Sequence, residues 1–255
     1  MKPLEIKHRV IGGGEPLICV PVVEQDAQSV IREITYLSQS TADMIEWRVD
    51  AFRDFTDYNA IRSVFEAVAP LLGEKFFLYT FRTAHQGGMA QVKAEQLDDL
   101  HDLAAESGCV DLVDLEFFEE DRTLHKIRRL REMGVSVIAS HHDFEQTPPP
   151  EVMKMLLEKM CAGGADIVKL AVMPQNYKDV LDLLDVTAQF KEENPDTPVI
   201  TMSMGALGGI SRICGETFGS CVTFGAHEKP SAPGQFAMKE LRQMLDTIHA
   251  SSQIQ

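Results

Sequence analysis

Lys169 stands at the centre of Ala165-Asp166-Ile167-Val168-Lys169-Leu170-Ala171-Val172-Met173, a short run that is otherwise almost wholly apolar. Read as a strand, the run places Lys169 on one face with Ile167, Ala171 and Met173, and Val168, Leu170 and Val172 on the other. Both faces are apolar, as in parallel sheets covered by helices, and an amine there leaves water for surroundings that disfavour its ammonium form. Attack on a ketone to form a Schiff base needs the neutral amine, so Lys169 is a candidate nucleophile. The plainer reading is a lysine near a strand end that carries its amine to water along an apolar stem.

Other chemistry-bearing residues recur at strand ends. In Ile45-Glu46-Trp47-Arg48-Val49-Asp50, alternation turns Ile45, Trp47 and Val49 toward packing helices, and Glu46, Arg48 and Asp50 the other way. A Glu46–Arg48 ion pair would explain this, but desolvation offsets most of the attraction in a buried pair, so a polar binding site is the better account. Phe81-Arg82-Thr83 leads into Ala84-His85-Gln86-Gly87-Gly88, with Arg82 in the parity of Leu78 and Thr80. Asp114 and Glu116 share a face, where a carboxylate could hold Lys169 or a substrate hydroxyl. In Ser140-His141-His142-Asp143-Phe144 the two histidines point to opposite sides unless a bulge intervenes. That weakens a metal site, whose ligands must converge, and favours one inward histidine as a general acid-base, with a structural histidine as the alternative. The stretch Gly205-Ala206-Leu207-Gly208-Gly209-Ile210-Ser211-Arg212 sets a cation after a Gly-rich turn near a helix N-terminus, a place for a carboxylate or phosphate. Finally, Lys229-Pro230-Ser231-Ala232-Pro233-Gly234-Gln235 reads as a shaped loop offering a hydroxyl and an amide.

Eight apolar runs position these groups: Leu17 to Val22, Met44 to Val49, Lys75 to Phe81, Val110 to Phe117, Val135 to Ser140, Ala165 to Val172, Pro198 to Met204 and Ser220 to Gly225. Each is followed by a stretch of helical period, such as Ala27 to Ile34 or Val180 to Val186. Strand starts recur at 22 to 35 residues, the size of a strand, a crossover helix and two short loops. Eight such units in 255 residues predict a closed (β/α)₈ barrel formed by residues 1–255 as one domain. An open doubly wound sheet would want a Gly-rich turn after its first strand, which is missing here. An opening strand candidate, Leu4 to Ile11, precedes Gly12-Gly13-Gly14 and is expected to close the lower mouth of the barrel as a strand or hairpin. Pro148-Pro149-Pro150 is expected to stiffen the start of a helix near Glu151.

The composition narrows the partners. Apolar and charged fractions of 44% and 25% fit a globular chain, and the formal charge of −15 argues against nucleic acid or an anionic membrane. It leaves room for a small anionic substrate met by a few arginines in a cleft. The five cysteines are scattered, without C-x-x-C spacing, and read as reduced, mostly buried thiols. Met1 to His8 lacks the apolar core of a signal peptide and no apolar run would span a bilayer, so a cytoplasmic location is expected.

An amine in an apolar pocket, an imidazole and an arginine for a carboxylate describe covalent chemistry on a keto acid. An iminium on Lys169 would acidify the neighbouring carbon, leading either to loss of a β-hydroxyl or to carbon–carbon cleavage as in a class I aldolase.

Beyond this, Glu46-Trp47-Arg48-Val49-Asp50, Phe81-Arg82, His142-Asp143-Phe144, Ala165 to Lys169, Ala171-Val172-Met173-Pro174, Thr201 to Gly205, Ile210-Ser211-Arg212 and Ser231 to Gln235 resemble type I 3-dehydroquinate dehydratase, in order and spacing and over essentially the whole chain. The resemblance implies a barrel enzyme, usually a homodimer, that converts 3-dehydroquinate to 3-dehydroshikimate in the shikimate pathway without metal or organic cofactor. It implies Lys169 as the Schiff-base lysine and His142 as the acid-base, with Arg212 holding the substrate carboxylate. Glu46, Arg48 and Arg82 would bind ring hydroxyls, and Ser231 and Gln235 would come from a loop closing over the site. One position departs from the pattern. The family's loop usually has a glutamate where this chain has Gln86, which can orient an imidazole but cannot stabilise an imidazolium by charge. A lower His142 pKa than in relatives retaining the acid is expected, with slowed proton transfer. Two further readings stand beside it: a catalytically silent binding homologue, and a metal-dependent hydrolase built on His141, His142 and Asp143.

Overall fold

The computed structural model describes residues 4–119 and 123–252. Two short strands open the chain, β1 (Glu5–Ile6) and β2 (Arg9–Val10). The apolar runs then become β3 (Leu17–Val22), β4 (Met44–Arg48), β5 (Phe76–Thr80), β6 (Leu112–Glu116), β7 (Ser136–Asp143), β8 (Ile167–Val172), β9 (Val199–Ser203) and β10 (Val222–Phe224). Between and after them lie α1 (Ala27–Ser38), α2 (Tyr58–Val68), α3 (Ala94–Glu106), α4 (Thr123–Glu132), α5 (Pro150–Ala162), α6 (Tyr177–Glu193), α7 (Gly215–Phe218) and α8 (Met238–Ser252). Strands β3 to β9 pair in parallel in chain order and β10 returns beside β3. A parallel bridge between Val199 and Ser220 brings the last strand against β9. There Cys221 N donates to the Val199 carbonyl at 2.8 Å and the Ser220 hydroxyl accepts from Thr201 N at 3.0 Å. The expected (β/α)₈ barrel is what the chain forms.

Local signals account for the element ends. Asp26, Asp57 and Asn176 cap α1, α2 and α6 by accepting from first-turn amides. The first helical residue of α5 is Pro150, after Pro149, where a missing N–H costs nothing. Outward side chains pack under the helices; Trp47, for example, makes edge contacts with Phe52, Phe65 and Tyr79. Val168, Leu170 and Val172 join the same outer layer, whereas Ile167 and Ala171 face the barrel axis.

Inside the barrel, the lower half is apolar: Cys19, Met44, Phe76, Leu112, Ile138, Ile167 and Val222 fill it. The opening segment forms the hairpin of the two expected arrangements, with β1 and β2 paired antiparallel. Lys7 and His8 adopt positive φ at its turn, and Ile11 with the partly buried Leu4 and Ile6 plugs the apolar mouth. Arg9 pairs with Asp43 and lies over the Phe76 ring, so the hairpin is tied down at its polar edge as well. Most strand ends shift by a residue or more, and two of the shifts bear on the upper end of the barrel. β4 stops at Arg48, because Val49 and Asp50 enter a one-turn 3₁₀ segment, and β7 runs past Ser140 to Asp143, paired with β8 to its end.

Candidate active site

Register alone assembles the upper half of the barrel. Across the sheet, Glu116 pairs with Ser140 and Ser140 with Lys169, while Arg48 pairs with Thr80 and Thr80 with Asp114. These residues carry the period-two parity of inward positions one step above the apolar layer. The Lys169 side chain therefore does not meet the apolar surroundings expected from its own strand. Its Nζ donates to Asp114 Oδ2 at 2.9 Å and lies 4.5 Å from the centre of the Phe224 ring, with the residue only 3% exposed. The faces of β8 describe Lys169's neighbours along the chain, whereas the groups that reach its amine come from β6 and β10.

Asp114 is the hub. It accepts from Lys169, from Arg82 at 2.7 Å and from the Ser140 hydroxyl at 2.5 Å. Burial pushes its carboxyl up, but Arg82 first, then Lys169 and His142, outweigh this and hold it far below the usual carboxylate range. Arg82 also donates to Glu116 at 3.0 Å, and Glu116 accepts from the amide and hydroxyl of Thr83. Burial disfavours the Arg82 guanidinium; Asp114 and Glu116 more than compensate, leaving it firmly charged.

Glu46 and Arg48 do face inward, yet they are not paired with each other. Glu46 accepts from the Thr80 hydroxyl at 2.8 Å, and Arg48 makes a two-pronged ion pair with Asp50, both bonds 2.8 Å. Asp50 accepts in addition from the amides of Arg82 and Met89, so it fastens the loop after β5 to the end of β4.

The strand β7 resolves the histidine pair. It remains regular through Asp143, without a bulge, so His142 takes the inward parity of Ser140, and His141 turns out to an edge contact with Phe118. His142 Nδ1 lies 2.9 Å from Gln86 Oε1, which also accepts from the His142 amide at 2.8 Å. An amide oxygen cannot donate, so Nδ1 carries the proton and Nε2 keeps its lone pair. Burial, then Arg82 and Lys169, drive the imidazole well below its usual pKa, with Asp114 opposing them. A neutral base at physiological pH results. The two glycines after Gln86 make this turn possible: Gly87 has φ +82 and packs on Phe144, and a side chain at Gly88 would strike the Arg82 carbonyl at 1.8 Å.

A cavity of ≈ 470 Å³, counted with its open mouth, is lined by Glu46, Arg48, Arg82, Gln86, His142 and Lys169 together with Met202, Met204 and Phe224 and, from the loop after β10, Ser231 and Gln235. Ser231 and Gln235 bond each other: Ser231 N donates to Gln235 Oε1 at 2.8 Å and Gln235 Nε2 to Ser231 Oγ at 3.0 Å. Arg212 sits behind this wall rather than in it. Its NH groups donate to the carbonyls of Phe224 and Pro233, its Nε has no partner among the described residues, and it is 1% exposed. No carboxylate of the described residues pairs with it, and burial pushes it down to about 10, still cationic at neutral pH. A buried guanidinium without a counter-ion is a standing anion site.

Sequence reasoning thus placed all nine candidate residues at one end of the barrel, with Arg212 one layer back. It did not give Asp114 its central place, and it missed Ser140 and Phe224. The shared parity of Asp114 and Glu116 was a usable signal for the first; Ser140 and Phe224 became visible only through register.

Comparison with known proteins bears on what such a site does. Residues 18–252 match the family model described as type I 3-dehydroquinase. The 3-dehydroquinate dehydratase of Syntrophotalea carbinolica is 41% identical over 98% of this chain and 99% of its own, and that of Listeria monocytogenes is 42% identical over the same shares. Among solved structures, the type I 3-dehydroquinate dehydratase from Clostridium difficile, determined with covalently modified comenic acid, superposes with a TM-score of 0.94 at 39% identity. That match covers 98% of this chain and 100% of the other. The 3-dehydroquinate dehydratase of Geobacillus kaustophilus gives 0.95 at 35% identity, covering 98% of each chain.

Proposed function

The chain belongs to the type I 3-dehydroquinase family, and from that premise we propose that it dehydrates 3-dehydroquinate to 3-dehydroshikimate through a Schiff base on Lys169. The single observation that carries this reading is the buried Lys169–Asp114–Arg82 array with a neutral His142 beside it. With its ammonium proton passed to His142, the Lys169 amine attacks the ketone, and the imidazolium returns that proton to the carbinolamine hydroxyl as water is expelled. An iminium so formed keeps a positive nitrogen where Asp114 already accepts, so the counter-ion serves both before and after condensation. His142 Nε2 removes the C2 proton, the iminium takes up the electron pair as an enamine, and the C1 hydroxyl leaves as water once protonated. Hydrolysis of the imine then releases the enone and restores the amine. Glu46, Arg48 and Arg82 bind ring hydroxyls, Arg212 receives the carboxylate, and Ser231 and Gln235 close over the bound ring.

The test is reductive trapping. Incubation with 3-dehydroquinate and borohydride, followed by peptide mapping, is expected to add mass at Lys169; a clean peptide from an active enzyme overturns the reading. The family likeness extends the proposal to a homodimer in the cytoplasm, and a monomeric mass by light scattering would remove the first part.

The carboxylate assignment has its own check. A hydrogen bond to a charged group contributes about 1.5 to 3 kcal/mol, so Arg212→Ala is expected to weaken product binding by roughly tenfold to a hundredfold or more. Calorimetric titration with 3-dehydroshikimate reads this directly, and an unchanged affinity would mean the anion sits elsewhere.

A further inference from the structure

Resting on that reading of His142, we propose that Glu119 is a positioning residue for the imidazole and acts through the Gln86 side chain. Gln86 is 1% exposed and bonded at both ends. Its Oε1 accepts from the His142 amide and Nδ1, and its Nε2 donates to Glu119 Oε1 at 3.2 Å. A primary amide can be turned end for end with little change in shape, so something must choose its orientation. Here two partners choose alike: the backbone N–H of His142 only donates, and the Glu119 carboxylate only accepts. The result reaches the chemistry, since an amide oxygen on Nδ1 fixes the tautomer whose Nε2 is the free base.

Charge adds to geometry. The groups that face His142 are Arg82, Lys169, Asp114 and Arg48, three cations and one anion, and Asp114 is already engaged by two of those cations. A proton arriving on His142 is therefore opposed, and Glu119 supplies negative charge one amide beyond Nδ1. The adjacent His141 faces Asp143, Glu119, Glu116 and Arg82, so its own titration is read separately. Glu119 is solvent-exposed and follows β6 in a turn where its amide donates to the Glu116 carbonyl. Water screens it, and the effect is correspondingly modest.

The arrangement makes an unusual demand on position 86. A carboxylate there would stand as close to Glu119 as the amide does now, and two such groups resist being ionised together. Gln86 and Glu119 thus form a matched pair in which only one member carries charge.

Three variants and their pH profiles test this. Glu119→Gln is expected to lower kcat by about threefold to tenfold with KM changed less than about twofold, to move the acid limb to lower pH, and to leave the melting temperature in place. A lone glutamate at position 86 would favour the imidazolium, but beside Glu119 its ionisation is opposed, so Gln86→Glu alone is expected to lower kcat, and the double variant Q86E/E119Q to regain at least half of that loss by reversing the order of amide and acid. Unaltered kcat and profile in Glu119→Gln, or single-variant effects that simply multiply in the double, overturn the proposal. Borohydride labelling separates the layers: an unlabelled Lys169 in the parent enzyme removes the Schiff-base reading itself, whereas normal labelling with a silent Glu119→Gln removes only the relay.

Discussion

Lys169→Met is expected to lower kcat by about 10⁴-fold or more while the protein stays folded and still binds 3-dehydroshikimate. Methionine keeps an unbranched stem against Phe224 and removes only the nitrogen that condenses with the ketone. Truncating one partner of a buried ion pair ordinarily costs about 3 to 5 kcal/mol, because the other charge is stranded. Asp114 is not stranded here: Arg82 and Ser140 still donate to it. Loss of turnover with retained structure is therefore the expected combination, checked by the appearance of enone absorbance, by circular dichroism and by product titration. Turnover within tenfold of the parent would show that the amine is dispensable, and the covalent route would fall with it.

His142→Ala is expected to reduce turnover by about a hundredfold to ten-thousandfold, the usual worth of a positioned acid-base. The pH profile of the parent sharpens this. Desolvation, aided by Arg82 and Lys169, lowers the His142 pKa, so the free base persists as the medium is acidified through 6.5. The kcat/KM profile should accordingly stay level through pH 6.5 and fall only at lower pH, where the imidazole finally gains a proton. Replacement by alanine should abolish that acid limb along with the rate. A loss smaller than threefold would exclude His142 from the reaction, and an acid limb centred at or above 6.5 would mean that the imidazolium is stabilised rather than opposed.

Both outcomes turn on how the interior is layered. The N-terminal half of the barrel is filled by side chains such as Phe76, Leu112 and Ile138 and sealed by the hairpin, so it supports shape and excludes water. One step higher, Arg82, Asp114, Glu116 and Lys169 are all buried, and every one has an opposite charge in contact. Such a network contributes little net stability after desolvation. On the proposed mechanism, its value lies in fixing where a cationic nitrogen and an acidic proton can be accommodated. Arg212, held among the described residues by carbonyls alone, stands outside that balance.

Much of this was legible in the chain. Strict alternation in the run Ile45 to Val49 told which side of β4 meets the helices, because at the level of Trp47 the interior is polar and only the outer layer is apolar. The spacing of eight such runs dictated the barrel, since parallel neighbours require a crossover of that length. Motifs from Glu46 to Gln235 gave the family and the candidate site residues.

Other features lay beyond any reading of one strand at a time. Whether Arg48 would bond Glu46 or Asp50 depended on β4 ending at Arg48, which let Asp50 swing into the 3₁₀ turn. Which histidine faced the axis depended on β7 staying regular through Asp143. Lys169 found Asp114, 55 residues away in sequence, only because hydrogen-bonded register brought β6, β7 and β8 to a common level. The sequence determined which side chains share a face within a regular strand, a local property of backbone alternation. Tertiary structure decided what each side chain meets, because partners of a buried charge come from neighbouring strands whose alignment is set by ladder hydrogen bonds and barrel closure.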